Sequence, residues 1–391
     1  MITQLGIRNF RSIEEADIQL GRINVFYGPT ASGKSSVLYA LLVLKNFIAN
    51  PNRPADAFFD LGFTHLGGFD ACVFNHERNR EITVACTVGS GEEAACYSVA
   101  FGPGEATVKL KFLQQHELTA RVTLPYPLNQ NFTAQIGGLS VNWNGIAATV
   151  APLAPEAVDQ DSASKLALVV NRPAGIIKEV DIAPQKRGFY KPNYTPTPLS
   201  PIPTTDDEVA SLIISDQYLA PRISVYAERI LDRDFRIHTP LGTMMAFLQT
   251  TEKATRMPTL LVNDGYGVNQ VIYMLAQLLQ PQARVVLLEE PEVHLHPTVV
   301  RKFARELCRI AEEEDRQILL TTHSEVFLSA MLALVAGKGF SGDDLRIFFC
   351  TKEGRSSKFE RQQVTPTGQI EGGLRGFIEA ELEDLRTLLG L

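Results

Sequence analysis

The sequence has few cysteines, no excess of positive charge and no long apolar run. Its 391 residues include five cysteines, an odd number without any C-x-x-C pair, which argues against both a disulfide framework and a zinc site. Lys and Arg total 37 against 44 Asp and Glu, a formal net charge of -7, so no general positive field attracts nucleic acid or an acidic membrane. No stretch approaches the roughly 20 apolar residues that span a bilayer, and the start does not read as an export signal. We therefore expect a cytoplasmic protein with no membrane contact.

Long heptad repeats are also absent, which excludes a coiled-coil arm. What is present is the composition of a folded protein, with 45% hydrophobic and 21% charged residues. Such a chain buries a sizeable core as one large domain or two ordinary ones.

Three regions are predicted along the chain. Residues 1–150 begin with a hairpin, a buried strand and a helix, and continue from residue 81 as an antiparallel meander. Prolines crowd between Pro152 and Pro203, so residues 151–205 are predicted to be an irregular linker or insertion. Residues 206–391 alternate helical patterns, one of them over 206–231, with apolar strands at 285–288 and 317–320. The predicted fold class is α/β, with a mainly parallel sheet and an N-terminal antiparallel region.

The strongest motif is a full match to G-x-x-x-x-G-K-[ST] between a predicted strand and a predicted helix. It consists of Gly28, Pro29, Thr30, Ala31, Ser32, Gly33, Lys34 and Ser35, with Ser36 following. Such a P-loop turns its backbone N–H groups inward, and the helix dipole adds positive potential where phosphates sit. We expect Lys34 to reach the β- and γ-phosphates of ATP and the Ser35 hydroxyl to ligate Mg²⁺. The alternative, a chance glycine-rich turn, is disfavoured by this context.

A second strand ends in carboxylates, at residues 285–292. Mg²⁺ keeps part of its water shell, so one carboxylate is needed to hold that shell and another to polarise the attacking water. Glu289 is the predicted Mg²⁺-side carboxylate and Glu290 the predicted general base, because ligands of open α/β sheets bind at the carboxyl ends of the strands. Glu292, beyond Pro291, is interpreted as solvated or structural. The alternative is an ordinary acidic strand end.

Histidines follow two of these strands. His323 comes directly after the strand at 317–320 and is predicted to hydrogen-bond the γ-phosphate and report its presence. His294 and His296 are spaced i, i+2 without cysteines, which makes a zinc site improbable. We interpret their loop as one that crosses a dimer interface.

Two further segments carry weaker signals. Gly265, Gly267 and Asn269 open a helix, where small and amide residues bind an anion through backbone N–H groups or serve as an ordinary N-cap. In the Pro-rich stretch, three basic residues flank two aromatic ones and form a candidate contact for nucleic acid or a protein partner. These residues are Lys186, Arg187, Phe189, Tyr190 and Lys191. An ordinary exposed loop is the favoured alternative for them.

In this order, the motifs resemble those of the ABC-like ATPases that include structural-maintenance-of-chromosomes heads, RecF-type proteins and overcoming-lysogenization-defect ATPases. The likeness rests on LGIRNFRS at 5–12, the P-loop, GYGVNQ at 265–270, EEPEVHLHP at 289–297 and His323. It is greatest to the stand-alone AAA ATPases of the overcoming-lysogenization-defect-like branch, which lack a Toprim nuclease domain. We accordingly expect no nuclease activity in these residues.

The resemblance implies ATP hydrolysis between two copies of the chain. The P-loop of one protomer would face Gly265, Gly267 and Asn269 of its partner, while Glu290 positions water and His323 senses the γ-phosphate. Residues 60–70 would occupy the family's Q-loop, although no glutamine stands there. The implied function is an ATP-driven dimerising switch in DNA maintenance or phage defence. The alternative is an ATPase subunit that controls a partner effector without contacting DNA, and a transporter subunit is least favoured.

Overall fold

The computed structural model describes residues 1–153 and 160–374. Backbone contacts divide the chain into two compact units, each built from three segments. The first unit comprises Met1–Leu20, Ser35–Val180 and Lys352–Phe359, and the second comprises Gly21–Lys34, Asp181–Thr351 and the residues from Glu360 onward. The three regions above were defined by composition rather than by contacts, and their boundaries stay a prediction.

Strands and helices alternate along the described residues. The strands are β1 (Ile2–Phe10), β2 (Ile13–Gln19), β3 (Ile23–Tyr27), β4 (Ile82–Val88), β5 (Ala95–Phe101), β6 (Glu105–Phe112), β7 (His116–Thr123), β8 (Phe132–Ile136), β9 (Leu139–Trp143), β10 (Ala148–Pro152), β11 (Val180–Ala183), β12 (Arg233–His238), β13 (Phe247–Glu252), β14 (Pro258–Leu260), β15 (Val285–Glu289), β16 (Gln317–Thr322), β17 (Leu345–Glu353) and β18 (Ser356–Gln362). The helices are α1 (Lys34–Ala49), α2 (Gly68–Cys72), α3 (Gln160–Lys178), α4 (Asp206–Ser215), α5 (Leu219–Leu231), α6 (Tyr266–Leu279), α7 (Pro297–Glu313) and α8 (Glu325–Ala336).

The first unit is built on antiparallel sheets. One has the strand order β2-β1-β4-β5-β6-β7 and another the order β10-β9-β8. Along β4, buried residues alternate with half-buried ones, as Val84 and Thr83 show. This is the period of a sheet with one face on the core. The antiparallel meander predicted from residue 81 to 150 is confirmed.

The second unit is built on a sheet with the strand order β11-β15-β16-β3-β17-β18. β15 pairs parallel with β16, and β3 pairs parallel with β16 and β17. Every residue of β3, β15 and β16 is buried, because helices cover both faces of such sheets and leave continuous apolar strands. The predicted α/β class, with a mainly parallel sheet, is confirmed.

Helical periodicity explains the covering helices. In α7, Val300, Phe303, Ala304 and Leu307 are buried, a spacing that places them on one face. His296 begins this helix by accepting a hydrogen bond at Nδ1 from the Thr298 N–H. None of the helices in the described ranges is long and apolar enough to cross a membrane.

One sequence prediction about regular structure is confirmed and another was wrong. The helical pattern predicted over 206–231 corresponds to two helices, α4 and α5, which are separated around Asp216. The irregular stretch predicted between Pro152 and Pro203 contains α3 and β11, although residues 184–205 are irregular as predicted. Leu166, Val170 and Ile177 form a buried stripe at helical spacing, and this apolar periodicity outweighed Pro173 inside the helix.

Candidate functional site

The P-loop occupies residues 28–34, between β3 and α1. Gly28 has φ +144, and a Cβ there would overlap the carbonyl oxygen of Cys350 on the neighbouring strand β17, so only glycine fits. Ala31 and Gly33 also have left-handed backbone conformations, with φ of 64 and 93. The motif therefore forms a tight loop of unusual backbone geometry, and Ser35 and Ser36 continue it into α1.

Lys34 is held inside this loop. Its Nζ donates hydrogen bonds to the carbonyl oxygens of Gly28 at 2.9 Å and Pro29 at 2.7 Å. Burial lowers the pKa of this amine, while the negative charges of Glu290 and Glu292 act in the opposite direction. The structure thus brings the P-loop lysine into the electrostatic field of the acidic strand end that the sequence identified.

The registers of the parallel strands explain how these motifs meet. Glu289 pairs with Thr321 across β15 and β16, and Thr322 pairs with Tyr27 across β16 and β3. Each strand therefore ends at the same edge of the sheet. The residues that follow these ends are those predicted from sequence, Gly28, Glu290 and His323.

Glu290 lies at the centre of this edge. Its Oε1 is 3.1 Å from Nε2 of His323, and its Oε2 accepts a hydrogen bond of 2.8 Å from Nε2 of Gln185. The Gln185 backbone N–H also donates to Oε2 of Glu289 at 3.3 Å. The structure brings the predicted base and sensor into direct contact and adds a glutamine.

Gln185 was missed by the sequence analysis. It follows β11, which lies next to β15 in the sheet, but β11 had been assigned to the irregular Pro-rich stretch. The sequence signal for β11 was weak, because the segment Val180-Asp181-Ile182-Ala183 is short and contains an aspartate. Residues 60–70 contain no glutamine, and Gln185 is the one that contacts the acidic pair.

Glu292 is structural rather than solvated. Its Oε1 accepts hydrogen bonds from Oγ1 of Thr322 at 2.8 Å and from the backbone N–H of His323 at 2.7 Å. Burial raises the pKa of this carboxyl group. Glu292 therefore fixes the backbone that carries His323, and its second oxygen, Oε2, is buried without a hydrogen-bond partner among the described residues.

Two of the five candidate contact residues at 186–191, Arg187 and Phe189, are buried, while the other three are exposed. Arg187 and Phe189 are each only 1% exposed, and the Phe189 ring packs 5.6 Å from that of Tyr273. Lys191, another basic residue of this cluster, forms an ion pair with Asp207. The candidate contact for nucleic acid or a protein partner stays a prediction, which now rests on the exposed Lys186, Tyr190 and Lys191.

The Arg187 guanidinium instead binds backbone carbonyls. Nη1 donates to Pro184 at 2.9 Å and to Glu289 at 2.7 Å, and Nη2 donates to Glu290 at 2.9 Å. Burial lowers its pKa to about 10, and the charge of Glu292 is the largest opposing influence. The group thus stays protonated near neutral pH.

The start of α6 exposes its backbone but not all of its side chains. Gly265 is the N-cap, with open space where a Cβ would lie, whereas a Cβ on Gly267 would lie 3.1 Å from the carbonyl oxygen of His294. Asn269 is buried, and its side chain bonds the backbone of Phe189. The predicted nucleotide contact of Gly265, Gly267 and Asn269 stays a prediction, and the Asn269 side chain is already engaged within its own chain.

Known protein families match the two ends of the chain separately. Residues 1–127 match an AAA ATPase domain, and residues 181–329 match an AAA domain whose description names the AbiEii toxin of a type IV toxin–antitoxin system. An OLD nuclease of Thermus scotoductus is 48% identical over 42 residues, which are 11% of this chain and 8% of that protein. The chain therefore matches only a small part of this curated relative.

Solved structures with the same fold cover nearly the whole chain. An SmcHead bound to the C-winged helix domain of ScpA has a TM-score of 0.57 at 13% identity, over 93% of this chain and 98% of that one. An Smc head domain with an extended coiled coil, bound to the C-terminal domain of ScpA derived from Pyrococcus furiosus, has a TM-score of 0.52 at 10% identity, over 99% of each chain. The fold is thus that of an ABC-like ATPase head. With the domain matches, the predicted resemblance to the overcoming-lysogenization-defect-like and SMC-head ATPases is confirmed.

Proposed function

We propose that this chain binds ATP with Mg²⁺ and hydrolyses the bond between its β- and γ-phosphates, which releases ADP and inorganic phosphate. The observation that supports this best is the arrangement around Glu290, whose two carboxylate oxygens contact His323 and Gln185 in the field of Lys34. A carboxylate with both oxygens engaged still has lone pairs for a further hydrogen bond. Glu290 can therefore accept a hydrogen bond from water and orient it for attack.

The residues of the P-loop fit a polyphosphate. Gly28 has no space for a side chain, and the buried Ser32 hydroxyl has no hydrogen-bond partner among the described residues. Among the described residues, Lys34 donates hydrogen bonds to carbonyl oxygens of the loop. Anionic oxygens replace such contacts favourably, because charge-assisted hydrogen bonds are stronger. Lys34 and the loop N–H groups would hold the phosphates, and Ser35 and Glu289 would hold Mg²⁺.

ATP would supply the phosphoanhydride bond and Mg²⁺ would neutralise charge on the phosphate oxygens. The chain's own contribution is positioning. Gln185 and His323 fix the rotamer of the Glu290 side chain, and Glu292 fixes the backbone N–H of His323. In this proposal, His323 would sense a γ-phosphate at the same sheet edge.

We further propose that hydrolysis takes place in an ATP-dependent homodimer. The start of α6 supports this, since Gly265 has open space around it and Tyr266 is 46% exposed. Backbone N–H groups at a helix start bind anions. In this proposal they approach the phosphates held by the partner's P-loop, and Asn269 supports the helix start from behind.

Two candidates remain for what ATP hydrolysis controls: an action on DNA, and the control of a partner effector protein without DNA contact. The burial of Arg187 and Phe189 weakens the sequence support for a nucleic-acid contact at 186–191, although Lys186, Tyr190 and Lys191 are exposed. The domain description over 181–329 names a toxin–antitoxin system, which favours control of an effector over direct DNA contact. DNA binding measured at increasing salt, with and without a non-hydrolysable ATP analogue, separates the two, because phosphate contacts weaken as salt rises.

Phosphate release from ATP tests the proposed activity directly. The wild-type chain should hydrolyse ATP with Mg²⁺ and stop in excess EDTA, while Lys34→Ala should lose activity by about 1,000-fold or more, since the lysine supplies the main side-chain charge on the transferred phosphate. Lys178→Ala, an exposed position on α3, is the matched control and should keep full activity. Equal turnover in a folded Lys34→Ala protein contradicts the proposal.

A further inference from the structure

The backbone of Glu290 is held in an unusual conformation by one buried side chain. Glu290 has φ +45, a left-handed conformation that residues with a Cβ seldom adopt and that surrounding structure must enforce. The two nitrogens of the Arg187 fork donate to the carbonyl oxygens of Glu289 and Glu290. Successive carbonyls of an extended strand point in opposite directions, so one guanidinium reaches both only because the chain turns at Glu290.

Arg187 is itself held by the segment that carries it. Its carbonyl oxygen accepts a hydrogen bond from the Tyr190 hydroxyl at 2.8 Å. Two residues later, Phe189 donates its N–H to Oδ1 of Asn269 at 2.7 Å and accepts from Nδ2 of Asn269 at 2.8 Å. Between them, Gly188 has φ +136, and a Cβ there would lie 3.1 Å from the same Oδ1. The amide of Asn269 thus binds the segment as a neighbouring strand would.

These contacts form a continuous path inside the second unit. At one end is Asn269, four residues after the Gly265 N-cap of α6. At the other end is Glu290, reached through its carbonyl by Arg187 and through its carboxylate by Gln185. Both contacts to Glu290 come from residues 184–190, so a shift of this segment moves the backbone and the side chain of Glu290 together.

We propose that residues 184–190 couple the start of α6 to Glu290, with Arg187 as the residue that positions Glu290. This rests on the proposed function, because it assigns Glu290 a role in hydrolysis. In the dimer, a phosphate that docks on the start of α6 displaces or locks that helix end. Asn269 passes this displacement to Phe189, and Arg187 passes it to the turn at Glu290. The γ-phosphate held by one protomer would thereby set the catalytic carboxylate of the other.

Arg187→Lys tests the positioning role. Lysine keeps the charge but lacks the planar fork that bridges two carbonyls. Turnover should fall by about 100-fold, the loss expected from a misplacement of about 1 Å, while the Kd for nucleotide changes less than about threefold because the P-loop is untouched. Arg316→Lys is the matched control, since Arg316 is also a buried arginine that donates to backbone carbonyls, those of Gln280 and Ala283, away from Glu290. It should keep wild-type turnover.

Hydrogen exchange tests the coupling without any need for hydrolysis. Asn269→Asp has the same shape but replaces the donor to the Phe189 carbonyl with an oxygen. In nucleotide-free protein, where no partner phosphate is present, this variant and Arg187→Lys should both accelerate amide exchange in the 289–293 peptide, which includes the Val293 N–H bonded to the Glu290 carbonyl. Arg316→Lys should leave exchange in that peptide unchanged.

The outcomes separate this inference from the proposed function. The inference is overturned if Arg187→Lys hydrolyses ATP as fast as the wild type, or if Arg316→Lys loses as much activity as Arg187→Lys. It is also overturned if amide exchange in the 289–293 peptide is unchanged in Asn269→Asp. In each case the ATPase proposal still stands, provided that the wild-type chain hydrolyses ATP. If the wild-type chain does not hydrolyse ATP, the ATPase proposal fails and the exchange measurement alone decides the coupling. Faster exchange in Asn269→Asp then supports it and unchanged exchange overturns it.

Discussion

The two units use β-strands in different ways. In the first unit, β4 and β5 alternate buried and half-buried residues, and the antiparallel sheet offers one face to the core. In the second unit, β3, β15 and β16 are buried throughout, including the few polar residues that they contain. The candidate site residues Gly28, Glu290 and His323 follow the carboxyl ends of these strands and form a polar edge, whereas the antiparallel sheet distributes polar groups along one face.

This difference explains where the candidate chemistry lies. The side chains of a strand that is buried on both faces do not reach solvent. A ligand therefore binds such a sheet at the carboxyl ends of its strands. The loops there must bend sharply, and Gly28 and Glu290 both have positive φ. Unusual backbone conformations tend to cluster at functional sites.

The largest effect is expected from a substitution at the polar edge that leaves the strands intact. Glu290→Gln should lower ATP turnover by about 1,000-fold, because the amide is too weak a base to activate water, while nucleotide still binds at the P-loop. ATP would then persist, and by mass action it should shift the chain from monomer toward dimer. Static light scattering of the variant with and without ATP measures this shift.

A bulky residue at the start of α6 tests the dimer contact. Gly265→Arg is better suited than Gly267→Arg, because no atom lies within 4 Å of a Cβ at Gly265, whereas a Cβ at Gly267 would crowd His294 of the same chain. In the Glu290→Gln background, Gly265→Arg should abolish the ATP-dependent dimer. A dimer that ignores both ATP and Gly265, or a monomer in all samples, contradicts the composite site.

The edge residues that the sequence revealed are those that local pattern specifies. The P-loop has a fixed spacing, and Glu290 and His323 follow strands that are recognisable from their continuous apolar runs. Gln185 and Arg187 could not be predicted in this way, because their roles depend on β11 pairing beside β15, a contact across about a hundred residues of sequence that carries no local signature. Composition suggested that Arg187 lies at the surface, whereas in the structure it is buried and donates hydrogen bonds to the carbonyls of Glu289 and Glu290.

A third prediction tests the contrast between the strands themselves. In β15, Val286→Ala and Leu287→Ala should both destabilise the chain by about 2–4 kcal/mol, since the two neighbouring side chains face opposite sides of the sheet and both are fully buried. In β4, Val84→Ala should cost about 2 kcal/mol but Thr83→Ala less than about 1 kcal/mol. Shifts of the urea midpoint measure these differences. A loss of less than about 1 kcal/mol at either position of β15, or equal losses at the two positions of β4, would remove the contrast.

The smallest expected effect concerns Glu292, the carboxyl group that the polar edge buries. Burial raises its pKa above the ordinary 4.5. A carboxyl group with a raised pKa in the folded state favours folding while protonated, and this benefit is complete below about pH 4.5 and lost as the pH rises through the raised value. At pH 8 the folded chain therefore carries the cost of a buried charge.

Glu292→Gln removes that cost and keeps an oxygen that can accept from Thr322 and from the His323 N–H. Its melting temperature at pH 8 should be higher than wild type by up to about 3 °C, and the gain should disappear near pH 4.5, where the wild-type group is itself uncharged. Glu312→Gln, at an exposed position of α7, controls for the loss of one negative charge and should show neither change. Scanning calorimetry at both pH values measures these changes. A lower melting temperature at pH 8, or a gain that persists at pH 4.5, would contradict the prediction. It would mean that Glu292 is favoured as an anion because its hydrogen bonds outweigh the cost of its burial.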